Sequence, residues 1–382
     1  MPVSEYVGHA GVAVGRVGRR RNRLVGRSLL AVGSLVFMCG AVELALRLVL
    51  PPASSAALPH VLLSDESEAR LQWLERHARG ESSRYAFDEP DPLLGWRVKP
   101  NADVRAQKPG SYDVVVHTNN QGLRGREPVS VTPTSGRMRI GLFGCSQTFG
   151  EGVTDDDTYG ARLAGLLDHA EVLNFGVHGY GTDQMLLRYD REGAAYHLDV
   201  VVLAFGWFHM ARNMSRFTFF AKPRFVLDAN GNLALDGVPV PDPATLLAEQ
   251  PPMADRLVDQ SMALRWAWSR VKLAREREFY ERDPAPWRLT EALIRRFVSI
   301  ARERGARVIL LSIDESQPEL DSKLSALSAE LAVEEVDLGP TMRGLKAAGV
   351  EVQLPLDAHW NATGHRVVAE RLAEQLGRGA TR

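Results

Sequence analysis

The chain has 382 residues, 45% of them hydrophobic and 24% charged, the proportions of an ordinary globular protein with room for one large α/β domain plus additions or two modest domains. A formal net charge of −1 at pH 7 lacks the concentrated positive charge that phosphate backbones demand, so no nucleic-acid partner is expected. Only two cysteines occur, Cys39 in an apolar run and Cys145 in a glycine-rich turn. A structural disulfide between them is not expected, and a core of this size needs none.

The N-terminus opens on a basic cluster, Arg16, Arg19, Arg20, Arg21, Arg23 and Arg27, ahead of the uncharged run Ser28 to Val42. Glu43 and Arg47 interrupt an apolar stretch that reaches Leu50. At 1.5 Å per residue the segment from Leu24 to Leu50 is long enough to span a bilayer core of about 30 Å. The arginines ahead of it predict an N-terminus held in the cytoplasm and a main domain delivered outside. A cleaved signal peptide has the same charge order; its apolar core is shorter, and the small residues Ser54 to Ala57 lie far beyond this one. The expected organisation is a basic tail (1–27), an anchor (28–50), a linker with a small extension (51–136) and a catalytic-type domain (137–382) with an insertion at about 215–285.

Pro51-Pro52-Ala-Ser-Ser-Ala-Ala reads as a linker, and helical spacing follows from about Glu66 to Arg79. Asp91 to Pro100 reads as irregular and turn-rich, and Asp113 to Thr118 as a short strand. From Arg137 onward, short, mostly apolar strands alternate with helices: strands Met138–Phe143, Ala170–Phe175, Asp199–Phe205, Arg307–Ile313 and Val333–Leu338. The helices are Asp157–His169, Thr182–Gly193, Trp287–Arg304, Asp321–Leu331 and Ala362–Leu376. That rhythm predicts a parallel sheet covered on both faces. Between about 215 and 285 it breaks, with a hairpin turning at Asn230-Gly231 and a basic amphipathic helix from Met262 to Arg277.

Four segments carry chemistry. In Phe143-Gly-Cys-Ser-Gln-Thr-Phe-Gly-Glu-Gly152, Ser146 directly follows a buried strand, at the sheet end where open α/β folds place their sites. It reads as a nucleophile or as a serine that caps a helix. Asn174 to Thr182 is a glycine loop able to offer backbone N–H groups to an oxyanion. Phe205-Gly-Trp-Phe-His-Met-Ala-Arg-Asn213 closes a third strand. In Leu356-Asp-Ala-His-Trp-Asn-Ala-Thr-Gly-His365, Asp357 can orient the His359 ring, and His359 can take the Ser146 proton. Asn361 or Thr363 then caps the last helix. The same Asp357 and His359, with His365 as third ligand, could instead hold a metal.

In this order the four segments resemble the SGNH (GDSL-type) hydrolase superfamily, in particular its membrane-anchored bacterial members with upstream Leu-Gly-Trp-Arg and Asn-x-x-Gly-x-Arg segments. Leu94-Gly-Trp-Arg97 and Asn120-Gln-Gly-Leu-Arg124 stand at those places, and the resemblance runs from about Asp91 to the C-terminus. It implies a flavodoxin-like three-layer α/β/α sandwich with a mostly parallel sheet. Ser146 then matches the nucleophile and one oxyanion donor, Gly179 a second donor, and Asp357 and His359 the terminal dyad. The Asp-x-His spacing before Trp-Asn-x-x-Gly-His is similar to that of SGNH-like polysaccharide O-acetyltransferases.

Two departures stand out. Cys145 replaces the aspartate of Gly-Asp-Ser, and Phe208-His209 occupy the place of an Asn-Asp pair whose asparagine donates to the oxyanion. Losing such a donor costs about 3 kcal/mol of transition-state stabilisation, so either His209 or Asn213 substitutes, or the enzyme is slow, or the fold is put to another use. The resulting expectation is a membrane-tethered hydrolase or O-acyltransferase of acyl esters on envelope or exported glycans, with no cofactor and no metal. The alternatives are a catalytically weak envelope binding or scaffold protein and a metal-dependent hydrolase.

Overall fold

The computed structural model describes residues 13–49, 87–133, 136–248, 282–314 and 318–379, with scattered positions within 70–73 and 261–278. The chain separates into two compact units: Met1–Val61 with Pro252–Leu273, and Leu62–Pro251 with Ala274–Arg382. In the first, one helix runs Ala13–Val49, and its Arg27–Val49 stretch has mean hydropathy 2.2 with none of it buried. By length and composition it can cross a membrane, as can a signal sequence. Glu43, charged within this stretch, pairs with Arg47 at 2.7 Å and accepts from Ser261 Oγ and the Ala263 N–H at 2.8 and 3.0 Å.

The second unit is built on a five-stranded, wholly parallel sheet. In chain order the strands outside and inside it are β1 (Asp88–Asp91), β2 (Gly95–Val98), β3 (Asp103–Lys108), β4 (Tyr112–His117), β5 (Met138–Phe143), β6 (Ala170–Asn174), β7 (Val200–Phe205), β8 (Arg224–Leu227), β9 (Leu233–Asp236), β10 (Arg307–Ser312) and β11 (Glu334–Asp337). The sheet order is β11-β10-β7-β5-β6, with every neighbouring pair parallel. Counted from β5 this is the flavodoxin order 2-1-3-4-5, whose switch point lies between β5 and β7. The Val-rich β7 is central because all six of its side chains are buried, as a strand covered on both faces requires. Helices Tyr159–Leu166 and Ala362–Gly379 pack together as one layer, and Thr182–Arg191, Phe208–Met214 and Ala285–Glu303 as another. The expected three-layer α/β/α sandwich is therefore present.

Several local expectations shift. Asp91–Pro100 is not irregular: β1 and β2 form an antiparallel hairpin, closed because Asp91 Oδ1 accepts the N–H groups of Leu93 and Leu94 at 2.9 and 2.8 Å. β3 and the helix Gly339–Ala347 carried no strong periodicity, and β3 exists as the partner of β4. The helix expected from Asp157 starts at Tyr159, where the Thr158 hydroxyl accepts the Ala161 N–H at 3.2 Å. The hairpin at Asn230-Gly231 forms as β8 and β9. The helices expected over 66–79 and 262–277 fall largely outside the described residues.

Sequence-distant pieces are joined by a fully buried ion pair. Lys222 Nζ donates to Asp183 Oδ2 at the start of the Thr182–Arg191 helix, and to the carbonyls of Arg212 and Ser215 at 3.0 and 3.1 Å. Removing one partner leaves an uncompensated buried charge. Lys222→Met is therefore expected to lose about 3–5 kcal/mol of unfolding free energy in urea titrations. A loss below about 1 kcal/mol would contradict a close-coupled buried pair.

Candidate active site

Parallel strands deliver their carboxyl ends to one edge, so the loops after β5, β6 and β7 converge there. β5 ends at Phe143, and Gly144-Cys145 turn at once into the short helix Ser146–Phe149. A β-carbon at Gly144 would collide with the Thr148 side chain, so glycine is required for this tight turn. Ser146 is the first residue of the helix, which leaves its backbone N–H without an intrahelical acceptor. Cys145 is buried with a free thiol, and Cys39, in the other unit, is free as well.

The last loop meets this turn. Ser146 Oγ lies 2.7 Å from His359 Nε2, and His359 Nδ1 lies 2.5 Å from Asp357 Oδ1. Asp357 Oδ1 also accepts the His359 N–H at 2.8 Å, so one carboxylate fixes both the ring and the backbone of the same residue. Gln147 fastens the loop from both sides: its Nε2 donates to Ala358 O and its Oε1 accepts the Trp360 N–H, each at 3.1 Å. Asn361, rather than Thr363, caps the last helix by accepting the Gly364 N–H at 3.0 Å.

Two charged groups that no local motif announced stand beside this line. Lys108, at the end of β3, donates to Asp357 Oδ2 at 2.6 Å. Glu151 places Oε2 3.6 Å from His359 Nε2, while its Oε1 accepts from Tyr112 Oη at 3.2 Å. Burial works to raise the Asp357 carboxyl. The hydrogen bond and charge of His359, with the Lys108 ammonium, outweigh burial and hold it below the usual carboxylate range. With Nδ1 facing that carboxylate as donor, Nε2 is left to accept from the serine hydroxyl.

Gly179 sits in the loop after β6 at φ 76°, a left-handed conformation that suits glycine, and a β-carbon there would collide with Phe219. Trp96 of Leu94-Gly-Trp-Arg97 braces this loop: its Nε1 donates to His178 O at 2.9 Å and its carbonyl accepts from Tyr180 Oη at 2.6 Å. The second upstream motif braces the serine turn. Asn119, three before Gly122, is its asparagine, and its Oδ1 accepts the N–H groups of Gln121 and Leu123. Buried Arg124 then donates to Gly150 O, Val153 O and Asp155 Oδ1 at 3.2, 2.8 and 2.8 Å.

The loop after β7 is differently disposed. His209 is fully buried between Phe205 and Phe208, and its Nδ1 accepts the Gly206 N–H at 3.2 Å. Burial, with the charge of Arg212, holds its ring well below the ordinary imidazole range and hence neutral. Asn213 spends its amide on the core: Nδ2 donates to Thr290 Oγ1 at 2.8 Å and Oδ1 accepts the Asp183 N–H at 3.3 Å. His365 accepts the Tyr159 N–H at 3.2 Å, and burial pushes its imidazole down to about 3. Among the described residues no group of three His, Cys, Asp or Glu side chains is gathered closely enough to hold a metal ion.

No family model and no curated protein matches the chain. Solved structures similar to it include a member of the lipolytic protein G-D-S-L family from Veillonella parvula, at 15% identity and TM-score 0.36, covering 62% of this chain and 97% of that one. TesA is 16% identical at TM-score 0.37, covering 63% and 98%. An acetyl-xylooligosaccharide esterase from Geobacillus stearmophilus is 15% identical at TM-score 0.37, covering 64% and 97%.

The Lys108 ammonium partly offsets the Asp357 charge that His359 faces. Lys108→Met removes one of the groups that hold the Asp357 carboxyl down, so the midpoint of the Asp357 carboxyl titration, followed by carbon-13 NMR, is expected to move to higher pH. Because Lys108 is 39% exposed and solvent-screened, the shift should stay within about one pH unit. An unchanged midpoint, or one moved downward, would contradict the coupling.

Proposed function

We propose that the protein is a serine-dependent acyl-ester hydrolase or O-acyltransferase, and that acetyl esters of envelope or exported glycans are its substrates. The observation that carries this reading is the continuous line from Ser146 Oγ to His359 Nε2 at 2.7 Å and from His359 Nδ1 to Asp357 Oδ1 at 2.5 Å. In the reaction, Ser146 Oγ attacks the ester carbonyl while its proton passes to His359 Nε2. Asp357, ionised through the working pH range, stabilises the imidazolium. The tetrahedral species collapses with the proton delivered to the leaving alcohol, and an acyl group remains on Ser146. Water or a sugar hydroxyl then attacks, and the same histidine moves the protons in reverse.

The developing oxyanion is assigned to the backbone N–H groups of Ser146 and Gly179. Asn213, committed to Thr290 and Asp183, is assigned to the core instead, and His209 remains a buried neutral ring beside Phe208. Two backbone donors without a side-chain amide make a slower esterase than three. Phe208 at the place of the third donor is also what favours the second reading, a weakly catalytic binding protein of the envelope. The Arg27–Val49 stretch is assigned as a retained membrane anchor, with the arginine-rich end cytoplasmic and the main domain outside. The organisation 1–27, 28–50, 51–136 and 137–382, with the region 215–285 shaping the acceptor side, belongs to the same proposal.

Ser146→Ala is expected to lower turnover of p-nitrophenyl acetate by at least about 1,000-fold while the unfolding transition stays in place. Turnover retained in Ser146→Ala would remove the assignment. The acid limb of log kcat/KM should have a slope of one, because Asp357 remains ionised while His359 protonates. A slope of two would mean that both groups titrate together.

A further inference from the structure

Glu43 is an acidic residue in a stretch whose other residues suit lipid, and an anchor alone gives it no task. Every residue of Arg27–Val49 is exposed except Glu43 and Leu46, one helical turn apart near the outer end. At Glu43 the anchor helix meets a second segment of the same compact unit. Glu43 Oε2 accepts the Ser261 hydroxyl at 2.8 Å and the Ala263 N–H at 3.0 Å, while Ser261 Oγ accepts the Leu264 N–H at 3.2 Å. Ser261 thus caps a helix, and the Glu43 carboxylate stands at its positive end, where an anion is stabilised. Arg47 pairs with the other carboxylate oxygen at 2.7 Å, so the charge is met from two sides, as a charge at membrane depth must be.

The capped segment is helical at Ala263, Leu264, Ala267 and Val271. Leu264, Ala267 and Val271, spaced by three and four, form one exposed apolar stripe, with Leu264 49% and Val271 43% exposed. From Ser261 to Arg275 the sequence holds Arg265, Arg270, Lys272 and Arg275, with Trp266 and Trp268 and no acidic residue. That many cations exclude a path through hydrocarbon, while cations with tryptophan and an apolar stripe are the composition of a helix lying in the interface. The depth agrees. Glu43 lies six residues before Val49, the end of the anchor helix, hence about 9 Å along it. Interfacial helices bury their apolar face by about 5–10 Å.

We propose that the helix beginning at Ser261 is a second membrane contact, seated by Glu43 in the headgroup layer on the outer side. Its partner is an anionic phospholipid surface, which the basic residues attract and into which Leu264, Ala267 and Val271 dip. This contact rests on the reading of Arg27–Val49 as a retained anchor.

Spin labels on the full-length protein, reconstituted in vesicles of phosphatidylcholine with phosphatidylglycerol, test it. Exposed Cys39 is replaced by serine, and Cys145 is buried and out of a label's reach. Labels are placed singly through Leu264→Cys, Val271→Cys, Phe37→Cys in the anchor and Asn230→Cys at the exposed hairpin tip. Each is exposed to oxygen, which concentrates in lipid, and to a water-soluble nickel chelate. The oxygen-to-nickel collision ratio at Leu264→Cys and Val271→Cys is expected to exceed that at Asn230→Cys by at least about threefold. Glu43→Leu, which removes the seat, should lower the Leu264→Cys ratio by at least about twofold and leave Phe37→Cys unchanged. Ratios at Leu264→Cys and Val271→Cys equal to that at Asn230→Cys, or unmoved by Glu43→Leu, would overturn the proposal. So would labels shielded from both reagents, which would show a protein cover instead of lipid. With Phe37→Cys lipid-exposed the anchor reading survives any of these results; Phe37→Cys in water would overturn both.

Discussion

A hydroxyl and the imidazole that serves it are separated by 213 residues, and a 2.7 Å contact demands that their loops be placed to within a few tenths of an ångström. A parallel sheet with its switch point between β5 and β7 solves the coarse part of this problem, because it sends successive strand ends to one edge. The fine part is solved by backbone recognition. Gln147, next to the serine, binds the chain on both sides of His359, so the serine turn and the histidine loop are tied directly to each other. Asp357 then binds the ring and the backbone of His359 together, which leaves that ring little rotational freedom.

The region before the sheet is part of this machinery rather than a spacer. Lys108 and Tyr112, at the adjoining ends of the β3–β4 hairpin, reach Asp357 and Glu151, one on each side of the imidazole. Arg124, just after that hairpin, holds three oxygens of the segment 150–155 that follows the serine helix. Trp96, from the first hairpin, props the loop that carries Gly179. An edge built from 88–124 and from the sheet loops at once explains why Leu94-Gly-Trp-Arg97 and the Asn119 to Arg124 turn accompany a serine that lies further along the chain.

Much of this was legible in the residues, and the rest was not, for identifiable reasons. Short, mostly apolar strand runs alternating with helices bury both faces as a covered parallel sheet, so the fold followed from periodicity. Ser146 and the pair Asp357 and His359 carried local signals, a serine at a strand end and a two-residue spacing. Lys108 and Glu151 carried none, since their meaning arises only when residues 249 apart meet, as Lys108 and Asp357 do, or when the serine turn closes on the histidine loop. Asp91–Pro100 looked irregular because its hairpin is set by one Asp91 side chain binding two backbone N–H groups, a pattern without periodicity. The suggestion that Asn213 replaces an oxyanion donor came from its residue type alone, whereas in the fold its amide bridges two helices.

The proposed chemistry stands on His359, oriented by Asp357, making Ser146 a nucleophile. It is met most directly by reacting the full-length protein with a fluorophosphonate probe and locating the adduct by peptide mass mapping. A single adduct on Ser146 is expected, strongly reduced in His359→Ala at unchanged folding. No adduct, or one that forms equally fast without His359, would contradict it and favour the binding-protein reading.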